Sequence, residues 1–420
     1  MGFPEPFPER HFPERDSIRL LAPAKTNLFL AIGKRQADGY HEVATVMHAL
    51  DLHDVLYMES YVLPSPQSRC GLQTPYGSPV PCGSPALEGP LVPLCPLDQE
   101  GFAAPSGSQT PEGFAAPSGS SLQEAPPFLT GPFLPQGVSF IEGAQTPLGN
   151  MPIEGANPKG ISFTEGAQSS GGLRIELTES ACEGLAPLGI SAEENLAVKA
   201  VRALARSIGH NRHELVHIHL EKHIPSQAGL GGGSSDAAAA LMGAARLWGI
   251  APDSPMLKAV AEKLGSDVAF FLSGGCAYMT GTGSTHDHSL GPLNSPVVII
   301  KPEGGVPTAA AYAAFDRKPL AVPTHLVRKA RTATHAQDVP LFNNLSLAAE
   351  SILPELTTIR LWAQAALGVK GILLSGSGSA TIAVCTDLTA AGSLSAAAQA
   401  KGWWATTTTF NSQGASLVFP

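Results

Sequence analysis

The segment Ile224–Leu241, IPSQAGLGGGSSDAAAAL, leaves the chain few ways to fold. It follows Val216–Leu220, where apolar Val216, Ile218 and Leu220 alternate with His217 and His219, the period-two pattern of a strand with one buried face. It opens an alanine run that reads as a tightly packed helix. Between the two, Gly229, Gly231, Gly232 and Gly233 let the backbone approach a ligand closely and take conformations closed to other residues. Ser234, Ser235 and Asp236 stand where the helix N-terminus is expected to be capped. A strand, a glycine-rich turn and a helix start together aim N–H groups and the positive end of a helix dipole at one point, which suits an anion. No G-x-x-x-x-G-K-[ST] occurs, so this is not a Walker loop. The crowded glycines and the Ser-Ser pair do not fit a dinucleotide fingerprint either.

Composition narrows the partners. With 43% hydrophobic and 15% charged residues, the 420-residue chain can build more than one buried core. A net charge of −9 argues against a nucleic-acid partner, which needs a basic face. No run of about 18 apolar residues occurs, so no membrane association is expected. The first 16 residues are rich in Pro and charge and lack the apolar core of a signal peptide, and Pro6 breaks a myristoylation pattern. A disordered leader over 1–16 and a cytoplasmic location are expected. The six cysteines, Cys70, Cys82, Cys95, Cys182, Cys276 and Cys385, form no C-x-x-C pair. Free thiols and no protein-held metal follow as expectations, and the alternating His217, His219 and His223 lack further ligands.

From about Tyr61 to Gly172 the composition shifts to Gly, Pro, Ser, Ala and Gln. EGFAAPSGS at 100–108 returns at 112–120, and GVSFIEGAQ at 137–145 returns as GISFTEGAQ at 160–168. Pro and Gly at this density sustain neither helix nor ladder, and the apolar content is too low to offset ordering entropy. The copies are short and irregularly spaced, unlike a solenoid. The stretch 61–172 reads as a disordered loop insertion. Its flanks read as an α/β protein: Ile18–Ile32 as two strands joined at Pro23–Lys25, Val297–Ile300 as a short buried strand, a helix capped by Ser191 and Glu194 and ended by Gly209, and a helix from Ser254-Pro255 to Gly265.

Pro225–Ser235, with its G-L-G-G-G-S-S core, resembles the second motif of the GHMP kinases (galactokinase, homoserine kinase, mevalonate kinase and relatives). The resemblance extends to Pro23–Leu28, to Gly33-Lys34-Arg35 with Asp38-Gly39-Tyr40-His41-Glu42, to Leu264–Phe271 beside the family's L-G-A-D-V-P-F-F, to Val306-Pro307-Thr308, and to Leu374–Ala380 as the third, glycine-rich motif. Ala269, Ser284 and Asn343–Ser346 depart from that pattern.

The resemblance implies a two-domain α/β fold with the active site in the interdomain cleft. The first domain would comprise 17–60 with 173–290 and the second 291–420. It implies that Pro225, Ser226, Gln227, Ala228, Gly229, Leu230, Gly231, Gly232, Gly233, Ser234 and Ser235 wrap the phosphates of ATP accompanied by Mg2+. Asp267 would be the catalytic carboxylate, paired with Lys25. Asn27, Tyr40, His41 and Thr308 would bind the substrate. The Asp38–His41 pattern is similar to the branch whose small-molecule substrate carries a cytidine diphosphate group. A monomer or homodimer would result. Another GHMP kinase, a nucleotide-binding regulator that has lost catalysis, and an interaction role for the insertion stay open as alternatives.

Overall fold

Two long antiparallel strands, β1 (Ile18–Arg35) and β2 (His41–Val62), form the frame. The structure, a computed structural model, describes residues 17–37, 39–63, 172–182, 184–185 and 189–418. Every described residue belongs to one compact unit. The expected leader, Asp38 and nearly all of the expected insertion lie outside the described residues, although β2 runs on to Val62.

The first half of the chain continues with β3 (Leu173–Ala181), α1 (Leu196–Ser207), β4 (Glu214–Lys222), α2 (Gly232–Leu247), α3 (Pro255–Leu264), α4 (Ser266–Ser273), β5 (Cys276–Thr280) and β6 (Thr285–Leu290). Then come β7 (Pro296–Lys301), α5 (Thr308–Arg317), α6 (Thr324–Thr332), β8 (Phe342–Asn343), α7 (Ser346–Ile352), α8 (Glu355–Gln364), β9 (Val369–Leu374), β10 (Thr381–Cys385), α9 (Leu388–Gln399), β11 (Trp404–Thr409) and β12 (Ser416–Val418). The first sheet runs β12-β1-β2-β4-β3, with β5 on β2, β6 on β5 and β8 on β1; the second runs β11-β7-β10-β9. Two strands from the last eighty residues, β8 and β12, thus join the first sheet.

Ile18–Ile32 is one strand, not two. Pro23 and Lys25 are consecutive partners on β1, opposite His53 and Ala49 on β2, so β2 carries the extra residues of a bulge. Pro23 has no N–H to give the ladder, and Ala24 turns into the core, which is why the sequence looks broken there. The bulge lets the Lys25 N–H bond the Leu230 carbonyl at 2.9 Å, fastening the glycine-rich segment to β1.

Helices α1 to α4 cover one face of the first sheet. Ala237–Ala240 of α2 are fully buried against that sheet and its neighbouring helices. A Cβ on Gly243 would overlap the Met58 sulfur, so the small residues of α2 are what permit its close approach. Where the two sheets meet, Ala24 and Leu50 share a buried cluster with Val297, Ile299 and Ile382, and Ile224, Ala228 and Leu230 fill the seam. The apolar positions of the glycine-rich segment therefore anchor it between the sheets.

Two expected helix starts move. The N-cap of α1 is Asn195, whose side chain accepts the Ala197 N–H at 2.9 Å; Ser191 and Glu194 bond each other in the turn before it. The N-cap of α2 is Gly231 in the left-handed region (φ 73°), so Ser234, Ser235 and Asp236 lie inside the helix. A glycine suits a cap that needs positive φ, which a Ser there would resist. Gly209 and Gly265 end their helices as expected.

Candidate active site

A cleft of about 470 Å³ is lined by the glycine-rich segment, by Lys25 and Asn27 of β1, and by Asp267, Thr308 and Tyr312. Lys25 comes from β1, opposite the bulge in β2. Its ammonium donates to Asn27 Oδ1 at 2.7 Å and lies 3.5 Å from Asp267 Oδ2. Asn27 is held in turn: its Nδ2 donates to Thr45 Oγ1 at 2.9 Å, and Thr45 donates to the Phe29 carbonyl at 2.7 Å. Lys25 is 4% exposed, whereas the Asp267 side chain is 32% exposed, so the carboxylate reaches the opening while the cation forms the floor. Asp267 sits in the first turn of α4, where a helix dipole favours negative charge.

The glycine-rich segment is clasped from the C-terminal side. The Ser379 and Ala380 N–H groups donate to the Gln227 and Ala228 carbonyls at 3.1 and 3.0 Å, and Ser375 Oγ donates to the Gly229 carbonyl at 2.9 Å. A Cβ on Gly229 (φ 74°) would overlap the Ser375 carbonyl, and one on Gly231 would press on Phe271. These glycines are required by close approach as well as by conformation. Asn343 secures the turn after β9, donating to the Leu374 and Gly376 carbonyls at 2.9 and 2.7 Å.

Behind the segment lies a buried ionic group. Lys222 bonds both Asp54 and Asp236, the latter at 2.7 Å. Asp54 Oδ1 also accepts the His223 and Ile224 N–H groups at 2.5 and 2.8 Å. Burial pushes the Asp236 carboxyl up to about 8; Lys222 opposes that shift and the Asp54 charge adds to it.

On the far side, α5 carries Thr308, Tyr312 and Asp316 four residues apart, hence on one face. Thr308 Oγ1 lies 3.0 Å from Ser377 Oγ. Burial, with the Asp267 charge adding, pushes the Tyr312 hydroxyl up to about 12, so it remains a neutral phenol. His41 Nε2 lies 2.7 Å from Asp316 Oδ1, and the His41 ring packs 5.3 Å from the Tyr312 ring.

The structure thus brings Lys25, Asn27, Asp267, Thr308 and Pro225–Ser234 to one cleft. Ser235 is buried behind its wall. Tyr40 and His41 do not line the cleft; Tyr40 is 52% exposed, and His41 is buried beside Tyr312, which does line it. Sequence reasoning passed over Tyr312 and Asp54, and noted Asn343 only as part of a departure from the family pattern. Only the four-residue spacing from Thr308 could have pointed to Tyr312.

Comparison with known proteins places these features. A family model described as GHMP kinases N terminal domain matches residues 195–275, and one described as GHMP kinases C terminal matches 325–402. A 4-diphosphocytidyl-2-C-methyl-D-erythritol kinase of Desulfitobacterium hafniense is 39% identical over 203 residues, 46% of this chain and 68% of that protein. The chain belongs to the 4-diphosphocytidyl-2-C-methyl-D-erythritol kinase family of GHMP kinases. The enzyme of the same name from Polaromonas naphthalenivorans is 39% identical over 206 residues, 46% of this chain and 64% of that protein. A crystal structure of 4-(cytidine 5'-diphospho)-2C-methyl-D-erythritol kinase matches with a TM-score of 0.56 at 25% identity, covering 94% of this chain and 99% of that one. Homoserine kinase from Cytophaga hutchinsonii shares the fold, with a TM-score of 0.54 at 15% identity over 97% of this chain and 99% of its own. This GHMP kinase is therefore an ATP-dependent kinase acting on a small molecule. Among the described residues no helix is long and apolar enough to cross a membrane.

Proposed function

We propose that this GHMP kinase transfers the γ-phosphoryl group of ATP to the 2-hydroxyl of 4-diphosphocytidyl-2-C-methyl-D-erythritol, giving the 2-phosphate and ADP, a step of non-mevalonate isoprenoid precursor synthesis. The observation that carries the mechanism is the Lys25–Asp267 pair, 3.5 Å apart in a cleft walled by the glycine-rich segment. In this reading Pro225–Ser235 is the phosphate-binding segment: backbone N–H groups within 226–234 and the N-terminus of α2 cradle the phosphates, with Ser235 packed behind them. Asp267 accepts the proton of the attacking hydroxyl as the new O–P bond forms and the bond to ADP breaks. Lys25, its direction fixed by Asn27, faces the charge that develops between donor and acceptor.

Asn27 and Thr308 would contact the substrate, and Tyr40 and His41 its cytosine. Support for the last comes from the His41–Asp316 bond. With Nε2–H donating to the carboxylate, Nδ1 of a neutral ring is an acceptor suited to an exocyclic amine. Among the described residues no cluster of three or more His, Cys, Asp or Glu side chains could hold a metal. Mg2+ would come with the nucleotide's phosphates and would supply charge neutralisation there, and Asp267 is the carboxylate that lines the cleft among the described residues. The kinase would work in the cytoplasm as a monomer or homodimer.

ATP consumption by purified protein, measured with the cytidylyl alcohol beside homoserine, mevalonate and galactose, tests this reading. Turnover with the cytidylyl alcohol alone is expected. Turnover with another alcohol would overturn the substrate assignment, and turnover with none would favour a regulator.

A further inference from the structure

The geometry points to Asp54 and Lys222 as positioning residues for the nucleotide loop, holding both of its ends to β2 from behind. The inference rests on the reading of Pro225–Ser235 as that loop.

Asp54 is fully buried on β2, and its two oxygens are used differently. Oδ1 accepts the two consecutive N–H groups, His223 and Ile224, that lead into the loop. Oδ2 takes the Lys222 ammonium, whose other bond runs to Asp236 in the second turn of α2, just past the loop's exit. One lysine and one carboxylate therefore tie the entry and the exit of the loop to a single strand. A Cβ on Gly232, the first residue of α2, would lie 3.5 Å from Asp54 Oδ2 and 3.1 Å from Ile224 Cγ2, so the loop closes directly over this group. Lys222 and Ile224 themselves line the cleft.

A role confined to stability explains this less well. Three ionisable side chains, each at most 4% exposed, carry a desolvation cost that a well-packed apolar trio would avoid. The surrounding core is already apolar, with Ile224, Ala228 and Leu230 filling the seam. What an apolar trio cannot supply is acceptors for the two entry N–H groups, or a fixed bearing between the end of β4 and the start of α2. Anion binding by backbone N–H groups needs that bearing, because the donors must converge before the phosphates arrive.

The test is steady-state kinetics of the full chain with ATP and the alcohol varied separately, for the wild type, Asp54→Asn and Lys222→Met. Melting curves, calorimetric titration with ADP, and amide exchange over 223–232 accompany it. The expected result is a KM for ATP raised by about tenfold. The KM for the alcohol should be unchanged, kcat should fall by less than about threefold, and exchange should quicken in 223–232 but not in β10. A folded Asp54→Asn with wild-type KM for ATP and wild-type exchange would overturn the inference. So would equal rises in both KM values, or failure of both variants to fold, which would make the group a stability element. If the wild type does not bind ADP, the nucleotide reading itself fails, a result distinct from wild-type binding that the variants retain.

Discussion

Asp267 and Lys25 were legible as residues because each lies in a short local motif. Asp54 was not, since its partner Lys222 is 168 positions away and only the fold joins them. Asp267→Asn keeps the shape of the side chain and removes its capacity to accept a proton. Turnover should fall by about 100-fold or more, with the KM for ATP little changed, as read from single-turnover phosphoryl transfer. His48 gives a second prediction at this scale. It is fully buried, lies 3.0 Å from the Ala49 carbonyl through Nδ1, accepts the Leu293 N–H through Nε2 at 3.0 Å, and packs on Phe410. This pattern fits a neutral ring. Burial pushes its pKa down from 6.5 to about 4, against the opposing effect of the Ala49 hydrogen bond. Between those values the unfolded chain binds the extra proton. The stability His48 contributes is thus complete above pH 6.5 and is lost as the pH falls towards 4, a change on the order of 3 kcal/mol. Urea melts at pH 7.5 and 5 should show the slope, and His48→Gln should remove most of it.

At the scale of elements, the pattern of residues announced β4, α1, α2, α3 and β7, because each has a clear period or a stop signal. It misjudged β1, where Pro23 and the buried Ala24 looked like a break but lie within one strand, opposite a bulge in β2. It also misplaced the caps of α1 and α2. Ser191 and Glu194 match a capping box, yet Asn195, one residue before the helix, makes the bond. The contact between the glycine-rich segment and the turn after β9 could not be read at all, because backbone hydrogen bonds between segments roughly 150 positions apart leave no composition signal. That contact is testable at Gly229, which holds positive φ against the Ser375 carbonyl. Gly229→Ala should cost about 1–3 kcal/mol of stability and raise the KM for ATP, since the loop can accommodate the methyl only by leaving the turn. Melting temperature and ATP kinetics on one preparation check both effects; a wild-type melt would refute the close approach.

Across the whole chain, the family resemblance lay in motifs scattered from Pro23 to Ala380, and the fold gathers five of those segments around one cleft. The long stretch between them was legible only by composition, and it joins the described residues at a defined place. The last residue of β2, Val62, and the first of β3, Leu173, both pair with Glu214 at the start of β4. The Leu63 N–H donates to the His213 carbonyl and the Glu214 N–H to the Gly172 carbonyl. The Glu214 carboxylate is held by Ser60 and by Trp248 Nε1 at 3.2 Å, with His210 Nε2 2.8 Å away. The two ends are therefore two strand spacings apart, roughly 10 Å. A linker of about five residues spans that gap. Replacing 64–171 with such a linker should leave kcat and both KM values within about twofold. A folded shortened chain without activity would give the stretch a catalytic part.

The shared anchorage on Glu214 also bears on how such a gene can change. Because one residue fixes both ends, codons can be gained or lost between them, down to the few that span the gap, while the register of β2, β3 and β4 stays where it was. Selection on isoprenoid supply would then have little hold over the length of that stretch, and lineages carrying this anchor should differ there far more than in the strands on either side.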